Sequence, residues 1–187
     1  MHSLGHKDKA LSKVVFWVLR YVIISFMITI YTDGSSRGNP GSGGWGAIIF
    51  DGENVRETGG GEERTTNNRM EIKVAIEALK NISENSEVEI YTDSEYLMKG
   101  ITIWIKNWQK NNWRTKNKKK VLNKDLWEKL LAETEKRKVE WKKVLGHSGH
   151  EFNDRCDEIA TSFADGENVE LYNGSKQGYK AFHPVRN

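Results

Sequence analysis

Apolar and polar positions alternate across residues 27–33 (MITIYTD), and the run is rich in β-branched and aromatic side chains, so it reads as a strand. A glycine-rich turn over 34–44 leads into a second strand at 45–50. Asp51-Gly52 is a hairpin signal, with 54–59 as the returning strand. A polar turn over 60–68 offers Thr and Asn caps to a helix that runs to about residue 81. On that helix Glu71 shares a face with Val74, Ala75 and Ala78, so it points toward the sheet. Residues 88–93 (VEIYTD) form a fourth strand, followed by short helical runs to 109. Asn123 caps a helix to about 136, residues 139–145 alternate as a fifth strand, and 153–164 form the last helix. Three strands in hairpin order, then helix, strand, helices, strand and helix, predict an α/β fold. Its mixed five-stranded sheet has three antiparallel strands, then parallel strands, flanked by helices.

The two ends lie outside this pattern. Residues 14–30 are apolar except for Arg20 and a few hydroxyls, with Lys7, Lys9 and Lys13 ahead of them. A run of 17 residues is at the lower edge for a spanning helix. Arg20 near its centre costs about 2.5–3.5 kcal/mol on insertion scales. The end of the run is also needed as the first strand. Membrane association is therefore not expected. Met27 is taken as the native start and residues 1–26 as an artefactual extension, leaving 27–164 as the catalytic domain. Residues 165–187 hold Gly, Asn and Lys with scattered aromatics and read as a loosely attached tail.

Charge changes the picture more than composition does. The formal net charge is +3, yet 101–124 holds no acid and eight bases: Lys106, Lys110, Arg114, Lys116, Lys118, Lys119, Lys120 and Lys124. Removing these eight from +3 leaves the rest of the chain at −5. One basic block on an acidic body points to a polyanion bound on one side. Trp104, Trp108 and Trp113 interleave with the bases, and an exposed Trp packs on sugar or base. The single cysteine, Cys156, excludes an internal disulfide, suits a reducing compartment, and is expected as a small buried group.

Four acids carry the candidate chemistry. Asp33 and Asp93 end similar Tyr-Thr-Asp strands, so adjacent pairing sets their carboxylates side by side. Glu71 faces inward, and Asp157 lies on the last helix. Clustered buried acids are costly unless cations neutralise them, and oxygen ligands without Cys or His suit magnesium or manganese. A pair of such ions cleaves phosphodiesters. Other motifs fall away. Gly41-x-Gly43-x-x-Gly46 precedes a strand instead of a helix, so no helix N-terminus awaits a pyrophosphate, and the loop is assigned to close backbone approach to a ligand. His147, His150 and Cys156 lack a fourth zinc ligand. His147, in the Gly-flanked loop Gly146-His147-Ser148-Gly149, suits proton transfer near a metal site.

With these residues in view, the chain resembles type 1 ribonuclease H of the bacterial cellular form. The resemblance spans about residues 27–164 and rests on TDGSSRGNPGSGGWG, TTNNRMEI, YTDSEY, NWQKNNWRTKNKKKVLNKDLW and GHSGHEFNDRCDEIA. It implies an endonuclease that hydrolyses the RNA strand of RNA–DNA hybrids. Two Mg2+ ions (or Mn2+) would sit on Asp33, Glu71, Asp93 and Asp157, with His147 assisting. It also implies that Asn39, Asn67 and Asn68 touch the minor groove, that Thr66 and Asn123 hold a DNA-strand phosphate, and that Trp104 packs on a deoxyribose. The basic block, with Lys106, Lys110, Arg114, Lys118 and Lys119, would be the handle. One departure is Glu95, where the family pattern has a glutamine contacting RNA. The expected protein is a cytoplasmic monomer without an obligate protein partner. Its rivals are a module that holds hybrids without cutting and a transposase or integrase core.

Overall fold

The structure, a computed structural model, describes residues 27–145 and 150–181. The expected extension 1–26 and the loop residue His147 lie outside the described residues. Among the described residues six strands form one sheet: β1 (Ile28–Ser36), β2 (Gly41–Asp51), β3 (Asn54–Thr65), β4 (Glu87–Thr92), β5 (Lys138–Lys143) and β6 (Asn173–Ser175). They lie in the order β5-β4-β1-β2-β3-β6. β1, β2 and β3 form an antiparallel meander, whereas β4 pairs parallel with β1, and β5 parallel with β4. The mixed α/β sheet is as expected from the sequence.

Helices cover both faces. α1 (Asn67–Lys80) packs on β1 and β2. α2 (Glu95–Lys99) continues through a π-helical turn at Gly100–Trp104 into α3 (Ile105–Lys110). α4 (Lys124–Thr134) packs on α1, and α5 (Glu151–Asp165) lies across β1, β2 and β3. Strand alternation explains the two layers. Ile28 and Ile30 of β1, with Val88 and Ile90 of β4, join Met70, Val74, Trp127 and Leu130 in the main core. Tyr31 and Ile48, on the opposite parity, join Val55 and Cys156 in a second core under α5. The lone thiol is buried, as expected of a small packing group.

Two expectations are corrected. The sheet has a sixth strand, because the tail is not loose: 173–175 pair antiparallel with β3. Tyr172 and Tyr179 also pack with Phe50, Tyr91 and Phe152 around the second core. Second, β2 begins at Gly41, four residues before the expected start, and its glycines face protein. A Cβ at Gly44 would lie 2.1 Å from the carbonyl oxygen of Ala160, and one at Gly46 2.5 Å from that of Cys156, so these two glycines let α5 sit directly on the sheet backbone. At Gly44 and Gly46 the close approach is made by α5 itself.

Caps also differ from expectation. Thr66 is the N-cap residue of α1, but its side chain makes no cap hydrogen bond. Its carbonyl accepts from Arg69 and Met70 N–H groups instead. Asn123 precedes α4 in the left-handed region (φ 58°) and likewise makes no side-chain cap.

Candidate active site

The parallel register β1–β4 pairs Thr32 with Thr92, so the next residues, Asp33 within β1 and Asp93 just past β4, stand side by side. Glu71, on the first turns of α1, completes the group: ligand-capable oxygens of Asp33, Glu71 and Asp93 all lie within 4.8 Å of one another. Gly34 makes this approach possible. A Cβ there would lie 2.4 Å from the Glu71 backbone nitrogen, so the start of α1 rests on the end of β1 only because no side chain intervenes.

Each carboxylate has a specific holder. The Gly34 N–H donates to Asp33 Oδ1 at 2.7 Å. Asn67 Nδ2, one helical turn before Glu71, donates to Glu71 Oε1 at 3.3 Å. Asn153 Nδ2 donates to Asp93 Oδ2 at 3.3 Å. Asp33 and Glu71 are buried, at 7% and 5% exposure. Burial and the neighbouring charges of Asp93 and Asp157 push the Asp33 carboxyl well above the ordinary carboxylate range. Burial, Asp33 and Asp93 do the same to Glu71.

Asp157 is half-buried on α5 and lies outside the group of three, but it is close enough for its charge to act on Asp33. Three of the four expected carboxylates are thus in mutual reach, and the charge of the fourth, Asp157, acts on Asp33.

The donor set fits a hard divalent cation. It offers oxygens alone, and Glu71 Oε2 is buried without a hydrogen-bond partner. A buried carboxylate oxygen aimed into a cluster of acids gains from a cation and from little else.

The remaining expected residues fall in two groups. Near the acids, Asn39 Oδ1 accepts the Asn67 N–H at 3.1 Å, so Asn39, Asn67 and Glu71 form one hydrogen-bonded chain. Asn68 is exposed beside them. Arg69 donates its backbone N–H to the Thr66 carbonyl (2.9 Å) and reaches Asn123 Oδ1 (3.4 Å), tying the two expected phosphate holders to one neighbour. Asn123 in turn donates to the Tyr96 hydroxyl at 3.2 Å.

Further away, Trp104 is half-buried against Tyr96 and Trp108, with ring centroids at 6.2 and 5.6 Å. Lys106, Lys110, Arg114, Lys118 and Lys119 are all exposed. Among the described residues of the basic block, an ion pair forms only at Lys124, with Glu128. Glu95 is also exposed, gripped by Lys99 and Lys143, which hold its carboxyl down at about 2.

Sequence reasoning missed Asn153, Arg69, Lys99 and Lys143. The spacing of Asn67 four residues before Glu71, and of Asn153 four before Asp157, was a usable signal, because such positions share a helix face. The Arg69–Asp125 pair, bidentate at 3.0 and 2.8 Å, joins α1 to α4 and left no local trace.

Comparison with known proteins follows this geometry. A profile of the family described as RNase H matches residues 26–165. Ribonuclease H of Chromohalobacter salexigens is 51% identical over 138 residues, covering 74% of this chain and 84% of that protein. Ribonuclease HI of Caulobacter vibrioides is 50% identical over 133 residues, covering 71% and 89%. Among solved structures, LC9-RNase H1, described as a type 1 RNase H with the type 2 active-site motif, superposes with a TM-score of 0.69 at 28% identity. That match covers 79% of this chain and 77% of the other. LC11-RNase H1, solved in complex with RNA/DNA hybrid, gives 0.56 at 26% identity over 74% and 97%. The matched span takes in β1 through α5 and every carboxylate of the cluster, and on that basis the chain belongs to the ribonuclease H family, type 1.

Proposed function

We infer that this protein is a metal-dependent endoribonuclease that hydrolyses the RNA strand of RNA–DNA hybrids, leaving 5′-phosphate and 3′-hydroxyl ends without sequence readout. The observation that carries the reading is the convergence of Asp33, Glu71 and Asp93 on one point, with an unpartnered buried oxygen on Glu71. Asp33, Glu71, Asp93 and Asp157 are the residues assigned to hold two Mg2+ ions, with Mn2+ as the substitute. Bound there, the pair supplies Lewis-acid activation of water and neutralises charge at the scissile phosphate.

The chain's own groups do the rest. Gly34, Asn67 and Asn153 fix the carboxylate orientations through the bonds given above. His147 is assigned to move a proton at the leaving or attacking oxygen. Asn39, Asn67 and Asn68, beside the acids, are assigned to the wide, shallow minor groove, where 2′-hydroxyls mark the RNA strand. Thr66 and Asn123 take a phosphate of the DNA strand, Trp104 a deoxyribose, and the exposed bases from Lys106 to Lys119 the adjacent backbone. Contacts of this kind to backbone and groove shape position a duplex without reading its sequence. No helix among the described residues is long and apolar enough to cross a membrane. A monomer acting in the cytoplasm is the assignment that fits the chain's free-standing core and its reduced, lone cysteine.

A labelled hybrid, a DNA duplex and an RNA duplex, each incubated with Mg2+ and with EDTA, test this directly. Cleavage of the hybrid's RNA strand is expected with Mg2+ alone. A wild type that binds hybrid with Mg2+ or Mn2+ but never cuts it would make the protein a binding module.

A further inference from the structure

The three parallel strands β1, β4 and β5 bring three charged groups to one level: Asp33 where the β1–β4 pairing stops, Asp93 just past β4, and Lys143 at the end of β5. Lys143 pairs in register with Thr92, the residue before Asp93, so it stands at the rim of the acid cluster. The crevice beyond the carboxyl ends of parallel strands is where open α/β sheets receive ligands. Lys143 Nζ donates to Glu95 Oε1 at 2.9 Å, and Lys99 Nζ donates to Glu95 Oε2 at 2.7 Å. Both oxygens of Glu95 are thus engaged, and the trio carries a net charge of +1 two residues from Asp93.

Helix stabilisation accounts for only half of this. Glu95 and Lys99 are an i,i+4 pair on α2, a favourable helical spacing. Lys143 comes from a separate strand 48 residues away, and no helical argument brings it there. The three side chains are 60%, 50% and 46% exposed, so their pairing is screened and weak. A weak, exposed pairing is one that a phosphate can displace. The bases of the handle, by contrast, are free of such partners apart from Lys124.

We propose that Lys143 and Lys99 are additional backbone-phosphate contacts for the substrate duplex, and that Glu95 sets affinity by competing with phosphate for them. This deepens the hybrid-cleaving reading and rests on it for the substrate. Binding would exchange a carboxylate partner for a phosphate on each lysine, and the freed Glu95 would stand as a negative charge beside the strand. Replacing Glu95 by glutamine removes that competition and that repulsion while keeping an acceptor of the same shape.

The test is hybrid binding by fluorescence anisotropy across a salt series, in an Asp33→Asn background so that Mg2+ is present without turnover. Glu95→Gln should tighten binding by roughly threefold to tenfold at low salt. It should also steepen the slope of log Kd against log salt by about one, because no freed carboxylate is left to take up a cation. Lys143→Gln and Lys99→Gln should each weaken binding and make the slope shallower by about one. With both lysines already replaced, Glu95→Gln should give a smaller gain than in their presence, the part due to lost repulsion alone. The proposal is overturned if Glu95→Gln leaves affinity and slope unchanged, or weakens binding with a shallower slope. These titrations need no catalysis, so a wild type that fails to cleave hybrid would sink the functional reading separately from the lysine exchange.

Discussion

Among the described residues, carboxylates are buried at two places on this sheet's two faces, Glu57 on β3 and Glu71 on α1, in opposite ways. Glu57 on β3 is 5% exposed and fully served: Arg155 donates Nε to Oε1 (2.9 Å) and Nη2 to Oε2 (2.8 Å). The Tyr172 N–H (3.0 Å) and the Tyr179 hydroxyl (2.8 Å) complete the set. Those hydrogen bonds and the Arg155 charge outweigh burial and hold the Glu57 carboxyl below its ordinary range. Glu71 is equally buried, faces two other acids, keeps one oxygen without a partner, and is pushed the other way. Burial alone therefore says nothing about function. What separates a structural carboxylate from a reactive one is whether the protein itself supplies the compensating charge.

The largest expected effect comes from removing a carboxylate that the protein leaves uncompensated. Glu71→Gln should lower hybrid cleavage by at least about a thousandfold, near 4 kcal/mol of barrier, while the far-ultraviolet circular dichroism stays unchanged. A variant retaining a tenth of wild-type activity would remove Glu71 from the site. Glu57→Gln, tested beside it, should keep its turnover wherever the protein remains folded.

The next effect belongs to the compensated site. Arg155→Ala strands Glu57 in the interior, and breaking a buried pair from one side costs about 3–5 kcal/mol. Urea unfolding should show that loss. Truncation after Gly166 should cost about 3 kcal/mol, because it takes away the Tyr172 and Tyr179 donors to a charged group together with β6. A truncated protein as stable as the full chain would return the tail to a passive role.

The contrast also explains what could be read from the sequence. The acid cluster was legible because each member carries a local signal. Two strands carry the same Tyr-Thr-Asp, and Glu71 sits on the apolar stripe of an amphipathic helix. The Glu57 site carries no such signal. Glu57 and Tyr172 are 115 residues apart, and β6 is three residues long, too short for alternation to register. β2 was read short at its start for a related reason: a glycine-rich run lacks the side chains that mark a strand, and its purpose became visible only once α5 lay on it. Asp157 is expected with the other three, but its place on the last helix carries no measure of its distance from them.

Metal should act on one site and not on the other. A ligand that binds only the folded state stabilises it by RT ln(1 + [L]/Kd), about 2.7 kcal/mol at a hundredfold excess over Kd. Raising Mg2+ should therefore raise Tm in the wild type and in Glu57→Gln, and EDTA should reverse it. In Glu71→Gln the increment should shrink sharply. An increment of equal size in all three would place the ion elsewhere.

The smallest effect has the most distinctive sign. Without metal, Glu71 has a raised carboxyl, so the folded protein holds its proton more tightly than the unfolded chain does. That stabilisation is complete below the ordinary value of 4.5 and is lost as pH rises through the raised one. Glu71→Gln should then be more stable than the wild type at pH 7 in EDTA by about 1–2 kcal/mol, the scale of an unsatisfied buried polar group. The difference should vanish as pH falls below about 4. Glu57, with its lowered carboxyl, contributes stability that is present above 4.5 and lost as pH falls, so Glu57→Gln should be less stable than the wild type at pH 7. Its deficit should narrow in acid. Urea unfolding of the three proteins across this pH range, in EDTA, therefore gives two curves that approach the wild type from opposite sides. Two variants shifted in the same direction at pH 7 would mean that the two carboxylates are not differently compensated.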